Sequence, residues 1–275
     1  MKKILITGCS GYIGSHLINY LKKDYIIHGI DMVDTQVNPN SFLKTNINHR
    51  IHIEESYDAV VHLAALVSVG ESERIPIMYY ITNTNGTMNM CKSFKTKNFI
   101  FASTGAAEHC LSPYGVSKRA AEDVVKEYFT QHDLKDFTIF RFYNVIGSAW
   151  GLKPTNPDGL FYNLIKAKES GEFTIYGKDY HQSHDGTCVR DYVHVLEICN
   201  AIKLAIEKPS NKIECLGHGV GYSVKEIVEI FQEVNDVDFK VKYGPRRKGD
   251  LPYSVLENTS TYMKELFKFK DLWKI

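Results

Sequence analysis

Two side chains that can handle a proton together, Tyr114 and Lys118, stand one helical turn apart in the segment YGVSK. A tyrosine has a reference pKa of ~10, so it serves as a base near pH ~7 only if its phenolate is stabilised by about 4 kcal/mol. A neighbouring ammonium supplies part of that stabilisation. The spacing alone says little, because Tyr162 and Lys166 share it, and we assign that pair to an ordinary helix surface.

A glycine-rich turn follows the first predicted strand, with Gly8, Gly11 and Gly14 at intervals of three residues. Glycines let the backbone approach a pyrophosphate closely, and a helix N-terminus offers N–H groups and partial positive charge. Asp31 lies 20 residues beyond Gly11 and ends the second predicted strand, where an acid holds both adenosine ribose hydroxyls. Because a carboxylate there repels a 2′-phosphate, we predict NAD rather than NADP. The alternatives are a structural glycine turn and a strand-end turn residue.

The Tyr114–Lys118 pair and the predicted NAD site together indicate oxidation of an alcohol by hydride transfer. With NAD beside it, Tyr114 takes a hydroxyl proton while the carbon gives hydride to the cofactor. Thr104 ends the predicted strand before Tyr114, and its hydroxyl would hydrogen-bond the same oxygen and help relay the proton. The alternative is a helix start at Ser112 with Tyr114 half buried and without a chemical role.

Short apolar runs alternate with helical patterns through the first half of the chain and would position these residues. The pattern predicts strands at 4–7, 25–30, 59–63, 99–103 and 137–142, with helices at 12–22, 79–94 and 114–129. Strands separated by helices imply right-handed crossovers. We therefore predict an α/β fold, a Rossmann-like doubly wound and mostly parallel sheet covered on both faces.

The stretch 148–159 is rich in glycine and proline and marks the passage to a smaller mixed α/β lobe. That lobe is predicted to contain helices at 191–207 and 223–235 and strands at 173–176 and 239–243. We expect an NAD-binding domain at 1–147 and a nucleotide-sugar lobe at 148–275, with segments that can cross between them. The cleft is expected at the carboxyl ends of the strands.

Composition excludes several classes of function. The chain has 275 residues, of which 44% are hydrophobic, and a net charge of +1, so a large core is expected and generic nucleic-acid or membrane binding has no electrostatic support. The six cysteines form no C-x-x-C pair, which argues against a disulfide framework and a metal site. The apolar start breaks at Gly8, and no run approaches the ~20 apolar residues of a membrane span. We expect a cytoplasmic protein.

The motifs together resemble those of the UDP-glucose (galactose) 4-epimerase family, within the extended short-chain dehydrogenases/reductases. The matching segments are ITGCSGYIGSHL at 6–17, VVHLAALVSVGES at 60–72, YYITNTNGT at 79–87, SPYGVSK at 112–118 and RFYNVIG at 141–147. More specific to the 4-epimerases are IYGKDYHQSHDGTCVRDYVHV at 175–195 and GPRRKGDLP at 244–252.

The resemblance implies a role for each matching position. Tyr114 would be the base, Lys118 its electrostatic partner and Thr104 the hydroxyl that touches the same sugar oxygen. The NAD contacts would be Gly8, Gly11, Tyr12, Ile13, Gly14, Asp31, Met32, Leu63, Ala64, Ala65, Asn83, Tyr114, Lys118 and Tyr143. The UDP-sugar contacts would be Thr104, Asn144, Tyr176, Arg190, Tyr192, Arg247, Asp250 and Ser254.

The implied activity is epimerisation at C4 of a UDP-hexose through a transient 4-keto sugar. The family's gate for a 2-N-acetyl group aligns with Ser254, whose small side chain leaves space for UDP-GlcNAc and UDP-GalNAc beside UDP-glucose and UDP-galactose. Alternatives are a UDP-glucuronate epimerase or decarboxylase, a 4,6-dehydratase and a non-catalytic NAD sensor. The dehydratase lacks support because Gly105 and two alanines follow Thr104, where those relatives place an Asp-Glu pair.

The chain also departs from the family. The connections from Asp31 to Asp58 and from Thr104 to Tyr114 are shortened. The uracil contact has two candidate positions, Gly159-Leu160 and Asn163-Leu164. Homodimerisation through the helices at 79–94 and 114–129 is implied by the resemblance.

Overall fold

A parallel sheet of seven strands runs through the centre of the molecule. The computed structural model describes residues 1–131, 136–247 and 249–275. In chain order its strands are β1 (Lys3–Thr7), β2 (Ile26–Asp31), β3 (Ser41–Lys44), β4 (Ser56–Tyr57), β5 (Ala59–His62), β6 (Lys95–Thr96), β7 (Asn98–Thr104), β8 (Asp136–Phe142), β9 (Asn144–Ile146), β10 (Glu172–Tyr176), β11 (Val189–His194), β12 (Ile213–Leu216), β13 (Gly221–Ser223), β14 (Lys240–Gly244) and β15 (Tyr253–Ser254).

The helices of the chain cover both faces of this sheet or pack in the second lobe. They are α1 (Tyr12–Leu21), α2 (Val69–Ser72), α3 (Pro76–Tyr79), a π-helix (Tyr80–Asn85), α4 (Gly86–Ser93), α5 (Ala106–His109), α6 (Pro113–Gln131), α7 (Leu160–Ser170), α8 (Val195–Glu207), α9 (Val224–Asn235) and a 3₁₀-helix (Phe269–Trp273). The sheet order is β12-β8-β7-β5-β1-β2-β3, and its paired strands are parallel. The predicted α/β fold class is confirmed.

Burial on both faces explains why the central strands are continuous apolar runs. In β1, Ile4 and Ile6 pack into the core that contains the apolar sides of α1 and α8. Leu5 points the other way, into the core with Met90 of α4 and Val125 of α6. The carboxyl ends of the strands stay free of this packing, so the loops that follow them can form a site.

The second lobe has its own core. β10 pairs with β14, while β11 pairs with β13 and β15 and is extended by β9. The core of this lobe joins α7 and α9 to the buried Trp273 near the chain's last residue. β12 and α8, although late in the sequence, return to the first sheet, where β12 pairs with β8 and α8 packs on α1. The two lobes therefore interleave along the chain, and the boundary near residue 147 remains a prediction.

One predicted helix begins later than expected. Residues 191–194 belong to β11, and the helix predicted over 191–207 starts at Val195. His194 is its N-cap, since its side chain accepts a hydrogen bond from the Leu196 amide and Glu197 bonds back to the His194 amide. The β-branched and aromatic residues of β11 alternate between its two faces, which a helical period does not explain. As a result, Arg190 and Tyr192 point to the same face.

Two further observations concern the composition-based expectations. All six cysteines lie in the described part of the chain, and each is a free thiol. None of the helices in the described residues combines the length and the apolarity needed to cross a bilayer.

Candidate active site

The glycine turn is shaped by contacts that only glycine permits. Gly8 has a φ of +71°, and a Cβ there would lie 2.6 Å from the Ala64 amide nitrogen. A Cβ on Gly14 would lie 2.2 Å from the Gly8 carbonyl oxygen. Gly11 is the N-cap of α1 and, among the described residues, no side chain caps that helix. The turn thus presents backbone N–H groups at a helix N-terminus, the arrangement that binds phosphates.

Asp31 holds this turn from the end of β2. One carboxylate oxygen accepts from the Ser10 amide at 2.9 Å, and the other accepts from Met32 at 2.7 Å and Val33 at 3.2 Å. Asp31 also borders the cavity, where it lies beside the glycine turn. A carboxylate oxygen has further lone pairs, so Asp31 can accept from a bound diol while it keeps the turn in place.

Tyr114 lies in the first turn of α6, opposite Thr104 at the end of β7. The hydroxyl of Ser112 accepts from the Gly115 amide at 3.2 Å and starts the helix there. Burial raises the pKa of Tyr114 to about 12, while its hydrogen bond to Thr104 acts in the opposite direction. The expected lowering of this pKa therefore does not arise from the protein alone. The physical reason is that burial disfavours the phenolate more than the Thr104 contact favours it.

Lys118 is buried one turn further along α6, with its ammonium 4.1 Å from the centre of the Phe101 ring. Burial lowers the pKa of Lys118 to about 7, and the negative charge of Glu122 opposes that change. Glu122 is itself fully buried and accepts two hydrogen bonds from Arg141, at 2.9 and 2.8 Å. A buried ion pair between Glu122 and Arg141 thus lies one helical turn beyond Lys118.

Residues of the second lobe form the other half of the site. On β11, Arg190 points toward Asp250, with 3.8 Å between a guanidinium nitrogen and a carboxylate oxygen. The Arg247 guanidinium lies 4.0 Å from the centre of the Tyr176 ring. Ser254 of β15 is the strand partner of Arg190. Two guanidinium groups and one carboxylate therefore converge on one region, which suits a diphosphate and ribose hydroxyls.

Asn144 and Tyr192, on the adjacent strands β9 and β11, also border the cavity. The Asn144 amide donates to the Asp191 carbonyl oxygen at 2.9 Å, which joins β9 to β11. Tyr192 is buried against Trp273, with ring centres 5.0 Å apart. Its hydroxyl has no hydrogen-bond partner among the described residues, so it is free to bond to a ligand.

One continuous cavity of about 1300 Å³ connects the two halves. Its wall contains, among others, these residues predicted from the sequence: Gly8, Gly11, Tyr12, Ile13, Gly14, Asp31, Met32, Leu63, Ala64, Ala65, Thr104, Tyr114, Lys118, Tyr143, Asn144, Tyr176, Arg190, Tyr192, Arg247, Asp250 and Ser254. Of the two candidate uracil positions, Gly159-Leu160 lies in the wall, and Asn163 of the second pair does too, whereas its neighbour Leu164 is fully buried in the core.

Asn83 is the predicted residue that does not reach the cavity wall. Its side-chain amide accepts from the Leu66 amide at 2.9 Å and donates to the Leu66 carbonyl and to the Ser117 hydroxyl, each at 3.0 Å. Its neighbour Thr82 borders the cavity instead. The cause is the π-helix, whose wider turn rotates these side chains relative to an α-helix. No signal in the sequence indicated that Thr82 would border the cavity, since the pattern over 79–94 predicted one regular helix.

Asp158 is a second residue that the sequence reasoning missed. It borders the cavity in the stretch that leads to the second lobe. Its carboxylate accepts a hydrogen bond from Ser68, and its carbonyl oxygen lies 3.5 Å from a guanidinium nitrogen of Arg247. It had no signal of its own in the sequence, since an acid in a Pro- and Gly-rich stretch is ordinary there.

Comparisons with known proteins show what this chain is similar to. The family model described as "NAD dependent epimerase/dehydratase family" matches residues 4–215. A UDP-glucose 4-epimerase of Pasteurella multocida (strain Pm70) is 30% identical over 295 residues, covering 90% of this chain and 87% of that protein. A crystal structure of UDP-glucose 4-epimerase from Bifidobacterium longum in complex with NAD+ and UDP has a TM-score of 0.88 at 25% identity, covering 98% of this chain and 96% of the other. The UDP-Glc/GlcNAc 4-epimerase of Campylobacter jejuni has a TM-score of 0.78 at 29% identity, covering 99% and 96%.

Proposed function

Because this chain belongs to the NAD dependent epimerase/dehydratase family, we propose that it inverts C4 of a UDP-hexose with NAD as its cofactor. One observation carries the proposal. One cavity is lined by the glycine turn, by Tyr114 and Lys118, and by Arg190 and Arg247 of the second lobe. UDP-glucose and UDP-galactose are the first candidate substrates, and the N-acetylated forms are the second, since Ser254 is small.

The residues of the first half of the cavity fit NAD. Because Gly14 has no Cβ, the N-terminus of α1 packs directly against the Gly8 carbonyl, and its N–H groups at the glycine turn can bind a pyrophosphate. Asp31 offers its carboxylate to the adenosine ribose beside that turn. NAD, when bound, supplies a reversible acceptor for the hydrogen on C4 of the sugar.

Tyr114 is the proposed base. Its phenolate oxygen removes the proton of the C4 hydroxyl as that carbon is oxidised to a ketone, and its phenol returns a proton when the alcohol forms again. Thr104 bonds to the phenol and steadies the oxygen that changes charge. To bring the pKa of Tyr114 from about 12 to near ~7 requires about 7 kcal/mol of phenolate stabilisation. The Lys118 ammonium, one helical turn further along α6, would provide part of it.

The proposed clamp binds the nucleotide part of the substrate and leaves its sugar free to turn. Arg190 and Arg247 would bind the diphosphate, and Asp250 would accept from the uridine ribose hydroxyls. Because the grip lies on the nucleotide, the keto sugar can turn about its link to the diphosphate and present its opposite face. This is what inversion at C4 requires.

Product analysis tests the proposal. The purified protein, with trace NAD, is incubated separately with UDP-galactose and UDP-GalNAc, and the gluco epimer is expected without net NADH. Tyr114→Phe should fold and bind NAD but lose most turnover. Tyr243→Phe, an exposed tyrosine of β14, is the matched control and should keep wild-type turnover. Near-normal turnover of Tyr114→Phe would refute the assigned base.

The alternative activities predict other outcomes. Conversion of UDP-glucuronate with no reaction of the hexoses would favour a glucuronate epimerase or decarboxylase. A stable 4-keto product that has lost water would indicate a 4,6-dehydratase, although Gly105, Ala106 and Ala107 give no acid directly after Thr104. NAD binding with no turnover of any nucleotide sugar would favour the non-catalytic NAD sensor.

We further propose a homodimer in the cytoplasm. Ile77, Ile81 and Met88 form an exposed apolar row along α3, the π-helix and α4, next to α6. Such a row is costly in water and suits a helix–helix interface with a second copy. The free cysteines are in keeping with a reducing compartment. Ile81→Asp should give a monomer by light scattering, and a wild-type protein that is already monomeric would contradict the dimer.

A further inference from the structure

Tyr79 is a fully buried tyrosine, with 0% of its surface exposed, that the mechanism above does not use. It is the last residue of α3 and directly precedes the π-helix. Its hydroxyl and its ring contact different parts of the site. A buried hydroxyl that only filled space would be replaced at little cost by hydrogen, so its partners indicate its role.

The hydroxyl of Tyr79 holds what we call the bridging loop, residues 66–72, which includes the single helical turn α2. It accepts from the Ser68 amide at 3.1 Å and donates to a carboxylate oxygen of Glu71 at 2.8 Å. The Ser68 side chain in turn bonds to Asp158, in the stretch that leads to the second lobe. The bridging loop therefore borders the cavity and is joined through Ser68 and Asp158 to the stretch that leads to the second lobe, while the hydroxyl of Tyr79 holds it in place.

The ring of Tyr79 contacts the proposed base. It lies edge to face against the ring of Tyr114, with centres 6.2 Å apart and an angle of 79° between the planes. This is a favourable aromatic geometry. A ring packed in this way limits the rotation of the Tyr114 ring.

We propose that Tyr79 is a positioning residue that aligns Tyr114 through its ring and holds the bridging loop against the second lobe through its hydroxyl. The inference rests on the proposed function, since it takes Tyr114 as the base. It assigns Tyr79 no contact with the reacting atoms. Its two roles are carried by different atoms, so two substitutions separate them.

Tyr79→Phe removes the hydroxyl and keeps the ring. The change removes two hydrogen bonds, one of them to a carboxylate, so we expect about a tenfold higher KM for the UDP-sugar, which corresponds to about 1.4 kcal/mol, with kcat within about twofold of wild type. In the cofactor-free protein, amide hydrogen exchange over the bridging loop should become faster. That second measurement does not depend on activity.

Tyr79→Leu also removes the ring. We expect a further loss of kcat of about tenfold, and a shift of the kcat pH profile to higher pH, because a freely rotating Tyr114 loses its contact with Thr104. Tyr79→Met, with a long adaptable side chain, gives the same test if the leucine variant does not fold. Tyr80→Phe, the neighbouring and half-buried tyrosine, is the matched control.

The outcomes separate the two proposals. If Tyr79→Phe and Tyr79→Leu match Tyr80→Phe in KM, kcat, pH profile and hydrogen exchange, Tyr79 only fills the core and the inference is overturned. If the wild-type protein converts no UDP-sugar, the proposed function fails instead. Hydrogen exchange over the bridging loop then decides the role of Tyr79, since unchanged exchange in Tyr79→Phe would overturn it.

Discussion

The buried carboxylate of Glu122 should be worth several kcal/mol to this fold, and replacing it by glutamine tests that. Its carboxylate accepts two hydrogen bonds from Arg141, at 2.9 and 2.8 Å, and one from the Ser103 hydroxyl at 2.5 Å. The Arg141 side chain is 10% exposed and that of Glu122 is 0% exposed. Glu122→Gln leaves the guanidinium in a buried place without its counter-charge, which costs about 3–5 kcal/mol.

Urea unfolding of the cofactor-free protein measures this loss. Asp123→Asn is the matched control, because Asp123 lies next in the same helix but is exposed and pairs with Lys126 at 3.0 Å. An exposed pair contributes about 0–1 kcal/mol, so the control should remain near wild type. The double variant Glu122→Leu/Arg141→Met should recover most of the stability, since an apolar pair of similar volume avoids the buried charge. A Glu122→Gln protein as stable as Asp123→Asn would refute this reasoning.

Three further predictions concern other parts of the site. Burial lowers the pKa of Lys118 from 10.5 to about 7 in the folded protein, so between these two values the unfolded chain binds more protons than the folded one. Stability is thus lost as pH falls from above 10.5 to about 7. The free energy of unfolding should therefore rise by up to about 1.4 kcal/mol per pH unit across that window, and urea unfolding of Lys118→Met should show a smaller rise. Gly14→Ala should abolish NAD binding in a calorimetric titration, because its Cβ would lie 2.2 Å from the Gly8 carbonyl oxygen, whereas Gly70→Ala, with open space around it, should bind normally. Ser254→Tyr should abolish turnover of UDP-GalNAc and spare UDP-galactose, and equal loss of both would contradict the assigned gate.

The site residues that the local sequence pattern predicted are glycine or polar residues at or just after the carboxyl ends of predicted strands. Gly8 and Asp31 follow β1 and β2, and Thr104 ends β7. In a parallel sheet the carboxyl ends of neighbouring strands meet at one edge, so recognising the strands is enough to bring these residues together. Residues that end regular elements are therefore predictable from local pattern alone.

The prediction that failed depends on backbone geometry that local pattern does not carry. The helix over 191–207 was placed too early because the apolar content of Val189–His194 suits either element, and pairing with β9, β13 and β15 decides for a strand. This error arises from tertiary contacts that override local preference. The NAD contact at Asn83 was implied by the resemblance and stays a prediction, and its side chain bonds to Leu66 and Ser117 in this structure.

The sequence also predicted that the Lys118 ammonium lowers the pKa of the base Tyr114. The structure changes the expected source of that lowering. Burial raises the pKa of Tyr114 to about 12 and lowers that of Lys118 to about 7, so burial works against charge on both groups. A buried phenolate and a buried ammonium each become favourable only when opposite charge or hydrogen bonds surround them. The cavity beside them is where ligands would supply those interactions. Proton removal by Tyr114 should therefore depend on an occupied site, which would keep the base protonated whenever the cavity is open to water.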